Sequence, residues 1–543
     1  MEVAGLVLSA VALFGSCLKG YQLVADIRGL GQDSAILLCR LQIEEKRLLI
    51  WGRAVGLTEE RCRLPAQDLD IVQAVLTEIN SITQDAAVMK KRYAASLGPV
   101  DNILYNDGPI NYIQSSAVIL DIKRRIDEKS RGSSQSLKAG LRWMLDRKGF
   151  EKLVVDLREL NNGLFALLYG SQTVSSFHEF NEICLLSSAS DDVHKLATIR
   201  DASQTTYEDL SRTVDQRMHC LQLEASLPIL NTDLATRVPL GSMVVVQSNT
   251  DANRSIARLG EELVLIEWRE YGEDDPDDRT VIGILEKRIA DLSILLGRSP
   301  KPKEFQVMDC VGYCHDELEK RFGIVYTLPT LEVDEIPEIV SLYDLIHPQA
   351  GAQKVFPSLN DRFRLSNILA NSLLQLHTTK WLHRNLRSSH ILFLKSSKSM
   401  DWLQAPYVCG FGYSRPDFNA ISLPLQAREV DVGYQHPDLA QNPRVGYRRE
   451  FDAYSLGVLL VEIGFWRPIA NFRKPAYSPK RNHQRLLEYQ LTGDLAHRMG
   501  RDFEQAVKLL LTGKAYGVSM MEGEQLVAFL QNVVIQTDCQ GLN

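Results

Sequence analysis

A chain of 543 residues exceeds one ordinary domain, so two or three are expected. With 45% hydrophobic and 24% charged residues it has the make-up of a soluble globular protein. A formal net charge of −7 argues against a nucleic-acid partner, which selects for a basic excess. Nine cysteines, none in C-x-x-C spacing, point to buried thiols in a reducing compartment and not to a zinc site or a disulfide framework.

The first element is the uncharged run 3–18, VAGLVLSAVALFGSCL. Glu2 precedes it where a signal peptide would be basic, so no cleavable leader is expected. The run is shorter than the ~18 apolar residues that a helix needs to span a bilayer unaided. Two readings stand side by side. One is a buried bundle helix. The other is a helix that rests in a bundle and enters lipid when released, with Val3, Leu6, Leu8 and Leu13 as its membrane-facing residues.

Leu37, Leu41, Leu48, Trp51 and Val55 then recur at helical steps, and a second stripe runs from Leu69 to Met89 with Asp68 as its expected N-cap. Turn chemistry around 98–109 precedes a helix expected near 119–126. Nine basic against six acidic residues give 101–150 a local positive excess. Lys123, Arg124 and Arg125 lead it, as a solvated face or as a patch for anionic headgroups. Leu153, Leu157, Leu160, Leu164 and Leu167 keep helical spacing, and 191–223 forms a last helical stretch. No strand-like alternation occurs before about Met243, so this half reads as an all-α bundle.

Three segments, VAGLVLSAVALFGSCLKGYQLV, RLQIEEKRLLIWGRAVGL and LRWMLDRKGFEKLVVDLRELNNGL, resemble the fungal HeLo domain of prion-inhibition and propagation proteins (HET-s/LopB-like) over roughly 1–223. The resemblance implies a membrane-disrupting module held inactive until a partner triggers it.

The segment 226–253, with Pro228, Pro239, Gly241 and a polar run, is the expected linker between a bundle at 1–225 and a second domain at 254–543. ELVLIEWREY, 262–271, reads as a strand, 281–296 as a helix carrying Glu286, and 305–313 and 322–328 as further strands. Pro329 then divides a small lobe, 254–328, from a large one, 330–543. The stripe 363–377 is a helix with Asp361 as its expected cap. WLHRNLRSSHILFL follows at 381–394, then Gly410-Phe411-Gly412, Pro437, and the helix-like run FDAYSLGVLLVEI with Asp452 near its start.

In that order these pieces resemble a protein kinase: the H-R-D-L-K-x-x-N loop, D-F-G, A-P-E and the helix that ties down the catalytic loop. The resemblance implies an α+β two-lobed fold after the helical bundle. It also locates the departures. His383 and Arg384 match, but Asn385 replaces the catalytic aspartate, and His390 and Gly410 replace two magnesium ligands. Phe411 and Gly412 keep the packing and turning parts of their motif, and Pro437 and Asp452 the structural ones. No glycine-rich phosphate loop precedes the strand. The position that needs lysine is Glu267 or Arg269, depending on register, which leaves Glu286 without its ion-pair partner.

A pseudokinase is therefore expected: no catalytic residues, no metal, and no cofactor, since ATP–magnesium binding is not expected to survive such losses. Three functions follow. The first is a signal-regulated incompatibility or cell-death effector, cytoplasmic and drawn to the plasma membrane on activation. Its partners would be an upstream activating protein or further copies of itself, and anionic lipid. The second is a signalling scaffold without a membrane step, and the third a divergent kinase. No glycine- and asparagine-rich run closes the chain at 535–543, so a prion-forming mechanism is not expected.

Overall fold

The computed structural model of the chain describes residues 2–25, 32–59, 62–91, 147–225, 235–249, 253–271, 279–297, 300–329, 336–349, 354–395, 400–417, 431–442, 445–490, 493–519 and 521–538. It divides into two compact units, Met1–Ser211 and Arg212–Asn543.

Among the described residues, the regular elements of the first unit are helices: α1 (Glu2–Ala25), α2 (Gln32–Ala54), α3 (Ala66–Lys91), α4 (Arg147–Phe165), α5 (Ser171–Ser188), α6 (Val193–Ser203) and the start of α7 (Glu208–Ala225). Their apolar stripes meet in one core that includes Phe14, Tyr21, Leu41, Leu48, Trp51, Leu76, Ile79, Leu153 and Leu157. Each such side chain contributes about 1.5–3 kcal/mol by leaving water. Two expectations are corrected and one helix is added. Asp68 is not an N-cap; it lies inside α3 and accepts a hydrogen bond from the Tyr169 hydroxyl at 3.0 Å. Helix α5 escaped the sequence reading because its serine-rich sequence has no long stripe. The stretch 191–223 is two helices, α6 and α7, broken at 204–207.

The apolar helix α1 lies along α3. Ser16 Oγ donates to Asn80 Oδ1 at 2.7 Å, and Cys17 Sγ donates to the Leu76 carbonyl at 3.1 Å. The approach is close at Gly20, where a Cβ would stand 2.1 Å from Thr83 Oγ1. On α1 Leu8 is 67% exposed and Leu23 43%, while Ala12, Gly15 and Lys19 between them are half-buried. Leu6 and Leu13 are half-buried, and Val3 stands in the first turn. By length and composition Leu6–Val24 could cross a membrane. The basic residues Lys123, Arg124 and Arg125 lie outside the described residues.

The second unit mixes antiparallel sheets with helices. A five-stranded sheet has the order β1-β2-β3-β5-β4, from β1 (Met243–Asn249), β2 (Arg254–Leu259), β3 (Glu262–Glu270), β4 (Cys310–Asp316) and β5 (Arg321–Thr327). Helix α8 (Arg279–Gly297) packs on β4. Two boundaries move from those expected. Strand β1 lies inside the segment read as linker, and β4 begins only at Cys310, after a short helical turn at Lys303–Phe305.

Beyond the sheet come β6 (Glu338–Ser341), α9 (Leu342–Ile346), α10 (Leu359–Thr378), β7 (Trp381–Leu382), β8 (Ile391–Lys395), β9 (Tyr407–Val408), β10 (Arg415–Pro416), α11 (Pro437–Gln441) and α12 (Arg449–Phe465). The segment ends with α13 (Pro479–Arg485), α14 (Asp494–Met499), α15 (Arg501–Leu511) and α16 (Glu522–Phe529). Strands β6, β8 and β9 form a small sheet, and β7 pairs with β10. Ser358, not Asp361, caps α10; Asp361 supplies the reciprocal half of a capping box. Helix α12 is the axis of this region, buried at every position from Phe451 to Gly464.

Candidate functional site

A cleft of about 940 Å³ opens between β2 and β3 on one side and the loops 385–390 and 410–413 on the other. Its floor is organised by Asp452 in the first turn of α12, fully buried. The carboxylate accepts the backbone N–H of His383 and of Arg384, both at 2.7 Å, and the Tyr447 hydroxyl at 2.7 Å. His377 Nε2 lies at 3.2 Å. Burial pushes this carboxyl up, but the His377 hydrogen bond and the neighbouring imidazoles outweigh it and hold the group below its ordinary range. The same contacts hold Arg384 at φ +70°, a left-handed backbone that a non-glycine residue adopts only under such constraint.

His383 is neutral for a stated reason. Burial pushes its imidazolium pKa down to about 4. Its Nδ1 accepts the Asn385 N–H at 3.3 Å, so Nε2 carries the proton and donates to the Cys409 carbonyl at 3.0 Å. Phe411 packs its ring 4.6 Å from the imidazole.

The polar groups that line the cleft are engaged with one another. Glu267 and Arg269 lie on one face of β3, both buried. Glu267 extends to the loop, where its two oxygens accept the Gly410 N–H at 2.7 and 2.9 Å, and one also accepts the Phe411 N–H at 3.3 Å. Arg254 stands directly opposite it in the β2–β3 register, with its guanidinium 3.6 Å from the carboxylate. Arg254 also donates to the Ser389 carbonyl at 3.1 Å and to Cys409 Sγ at 3.2 Å. Arg269 stacks its guanidinium on the Tyr413 ring at 3.3 Å.

His390 uses both ring nitrogens. Arg387 can only donate, and it reaches Nε2 at 3.1 Å, so the proton sits on Nδ1 and goes to the Asn385 carbonyl at 2.6 Å. Burial, and then the Arg387 charge, hold this imidazole well below its ordinary pKa. Gly410 sits at φ +88°, and a Cβ there would meet His390 Nδ1 at 2.3 Å. Among the described residues no group of three or more His, Cys, Asp and Glu side chains gathers as a metal site.

The remaining expected residues fall apart from this centre. Glu286 on α8 accepts the Tyr313 hydroxyl at 3.2 Å and lies 3.8 Å from Arg237. Pro437 opens α11, and Gly412 touches Arg269. Sequence reasoning left Glu267 between two registers and missed Arg254, His377 and Tyr447. The available signal was one carboxylate inside the apolar strand ELVLIEW, which is costly unless paired.

Residues 3–199 match the HeLo family, described as prion-inhibition and propagation. Residues 317–512 match a family described as a domain of unknown function, DUF7580. Heterokaryon incompatibility protein S of Podospora anserina is 23% identical over 286 residues, covering 50% of this chain and 96% of that protein. Heterokaryon incompatibility protein s of the same fungus is 24% identical over 287 residues, covering 50% of this chain and 95% of that protein. A probable LRR receptor-like serine/threonine-protein kinase, IRK, of Arabidopsis thaliana is 29% identical over 152 residues, 27% of this chain and 15% of that protein.

Proposed function

We propose that this chain is a signal-regulated effector of the heterokaryon-incompatibility, cell-death type. Its HeLo-like bundle acts on a membrane, and its second unit is a kinase-like fold that receives the signal without transferring phosphate. The observation that carries the second half is the Glu267 carboxylate bound by the Gly410 and Phe411 amides and faced by Arg254. In phosphoryl transfer those places belong to a lysine that holds phosphate and an aspartate that holds magnesium. Here an anion sits where the cation should be, and both nitrogens of His390 are engaged by protein. The HeLo match, the incompatibility relatives and the exposure of Leu8 on the apolar helix α1 support the first half. Activation then comes from an upstream protein or a second copy of the chain, and anionic lipid is the target surface.

The test is a thermal-shift titration of the full chain with millimolar ATP and magnesium. A ligand at one hundred times its dissociation constant adds ~2.7 kcal/mol to the folded state. No rise in melting temperature is expected, and a magnesium-dependent rise overturns the phosphate-free reading. Expression of residues 1–223 in cells, scored for toxicity and membrane association, tests the effector reading; a well-expressed, inert fragment favours a scaffold.

A further inference from the structure

The chain passes from one compact unit to the next within helix α7, whose residues from Arg212 onward belong to the second unit. There the helix is gripped by charge. Arg217 has no solvent exposure, donates to the Thr378 carbonyl at 3.0 Å, and reaches the two oxygens of Glu522 at 3.3 and 3.0 Å. Thr213 adds a bond to Gln375 at 3.3 Å.

Glu522 is shared. Lys380 lies at 3.6 Å, and Arg449 Nη2 donates to its Oε1 at 3.3 Å, the oxygen that Arg217 Nη1 also uses. The same Arg449 nitrogen donates to Asp417 Oδ2 at 3.2 Å. One nitrogen thus divides itself between two carboxylates. Asp417 follows directly on β10, and its N–H donates to the Lys380 carbonyl at 2.8 Å. Strand β10 pairs with β7, which leads straight into His383. Asp417 therefore stands at the end of the segment that begins with Gly410 in the cleft.

We propose that Asp417, Arg449 and Glu522 form a relay through which the 410–417 segment sets the grip on α7 at Arg217. This rests on reading the second unit as a receiver of signals. If Asp417 is drawn away, Arg449 is left with Glu522 alone and competes with Arg217 for Oε1. A buried guanidinium that loses part of its carboxylate has no water to replace it. Helix α7 then lifts so that Arg217 can hydrate. The relay is a competition between two cations for one oxygen, so a small displacement at Asp417 becomes a change in attachment of a whole helix.

Amide hydrogen exchange of the full chain tests this, read at the α7 amides 212–225 and, as an internal control, at the α12 core. Arg217→Met should speed α7 exchange by about tenfold or more, with α12 unchanged. Asp417→Asn should speed the same amides by about threefold to fivefold, and Asp417→Glu should restore them. The double variant should exchange no faster than Arg217→Met alone, because both act on one contact. Unchanged α7 exchange in Asp417→Asn, additive effects in the double variant, or equal acceleration in α12 each overturn the relay. Cell toxicity of the same variants separates the two layers. Loosened α7 without a gain in toxicity keeps the relay and overturns the signal-receiver reading.

Discussion

Helices α1 and α12 are both made of small and apolar residues, and they are held in opposite ways. Helix α12 is buried from Phe451 to Gly464 and carries two acidic side chains, Asp452 and Glu462, with no exposure. Each binds distant chain: Asp452 the backbone of 383–384, and Glu462 the Tyr434 hydroxyl at 2.6 Å and the Ile469 N–H at 2.7 Å. Helix α1 has no such group in its middle. Its polar contacts to α3 include neutral ones at Ser9, Ser16 and Cys17, and Leu8 faces water. Hydrogen bonds to a charged group are worth about 1.5–3 kcal/mol and neutral ones about 0.5–1.5. Composition decides what can be buried; the partners decide whether the helix can leave. By this measure α12 is held by buried acidic groups, and α1 chiefly by the apolar packing of residues such as Phe14, Leu18 and Tyr21.

The largest effect should come from Asp452→Ala, which strips the partner from two amides, a hydroxyl and an imidazole at once. A loss of ~3–5 kcal/mol is expected in urea unfolding of the second unit. Asn385→Ala, in the same loop, should stay within about 0.5 kcal/mol. Equal losses in the two variants would break the contrast between the buried anchor and the loop it holds.

The second concerns pH. Burial raises the Glu462 carboxyl from its ordinary 4.5 to about 7. The folded state then holds a proton that the unfolded chain has already released, so this contribution is full below pH 4.5 and is lost as pH rises through 7. The shift corresponds to about 3 kcal/mol. Glu462→Gln should therefore gain stability relative to wild type between pH 5 and pH 8, followed by melting temperature across that range. His383 runs the other way, losing stability as pH falls from about 6.5 toward 4, and cancels in the comparison because both proteins carry it. A pH-independent difference would mean that Glu462 stays ionised.

The third moves to α1. Gly20→Ala places a methyl group into Thr83 and should cost the bundle ~1–3 kcal/mol by overpacking. Circular dichroism of the variant on heating checks it. A silent substitution would show that α1 already rides loosely on α3.

The smallest stability effect, within about 0.5 kcal/mol, is expected for Leu8→Lys, because the side chain is already in water. The functional effect should be large, since a charge inside lipid costs at least ~2.5 kcal/mol. Liposome leakage should be lost while helix content is kept. Full leakage from a folded Leu8→Lys protein would remove α1 from the membrane step.

Much of this was legible in the sequence because it depends on short-range periodicity. The stripes of α2, α3, α4 and α10 and the strand ELVLIEWREY lie close to where their spacing put them. What was hidden depends on partners far away in the chain. Strand β1 carries exposed Val244, Val245 and Val246 without alternation and is defined by its pairing with β2. What His390 does could not be read until Arg387 and the Asn385 carbonyl were seen on its two nitrogens. The task of Glu267 was invisible because it needs Arg254 across the sheet and Gly410 143 residues away. Local patterns name the elements, while the identity of a site lies in long-range pairs.

The close approach of Gly410 to His390 also couples the two positions. An aspartate at position 410 would drive its Cβ into the imidazole, so Gly410→Asp alone is closed while His390 stands. Changing His390 first removes the ring that receives Arg387 and binds the Asn385 carbonyl. Each change is harmful without the other, and Glu267 would still occupy the Gly410 and Phe411 amides. The two positions are locked as a pair, and this corner of the cleft can be remade only when both change together.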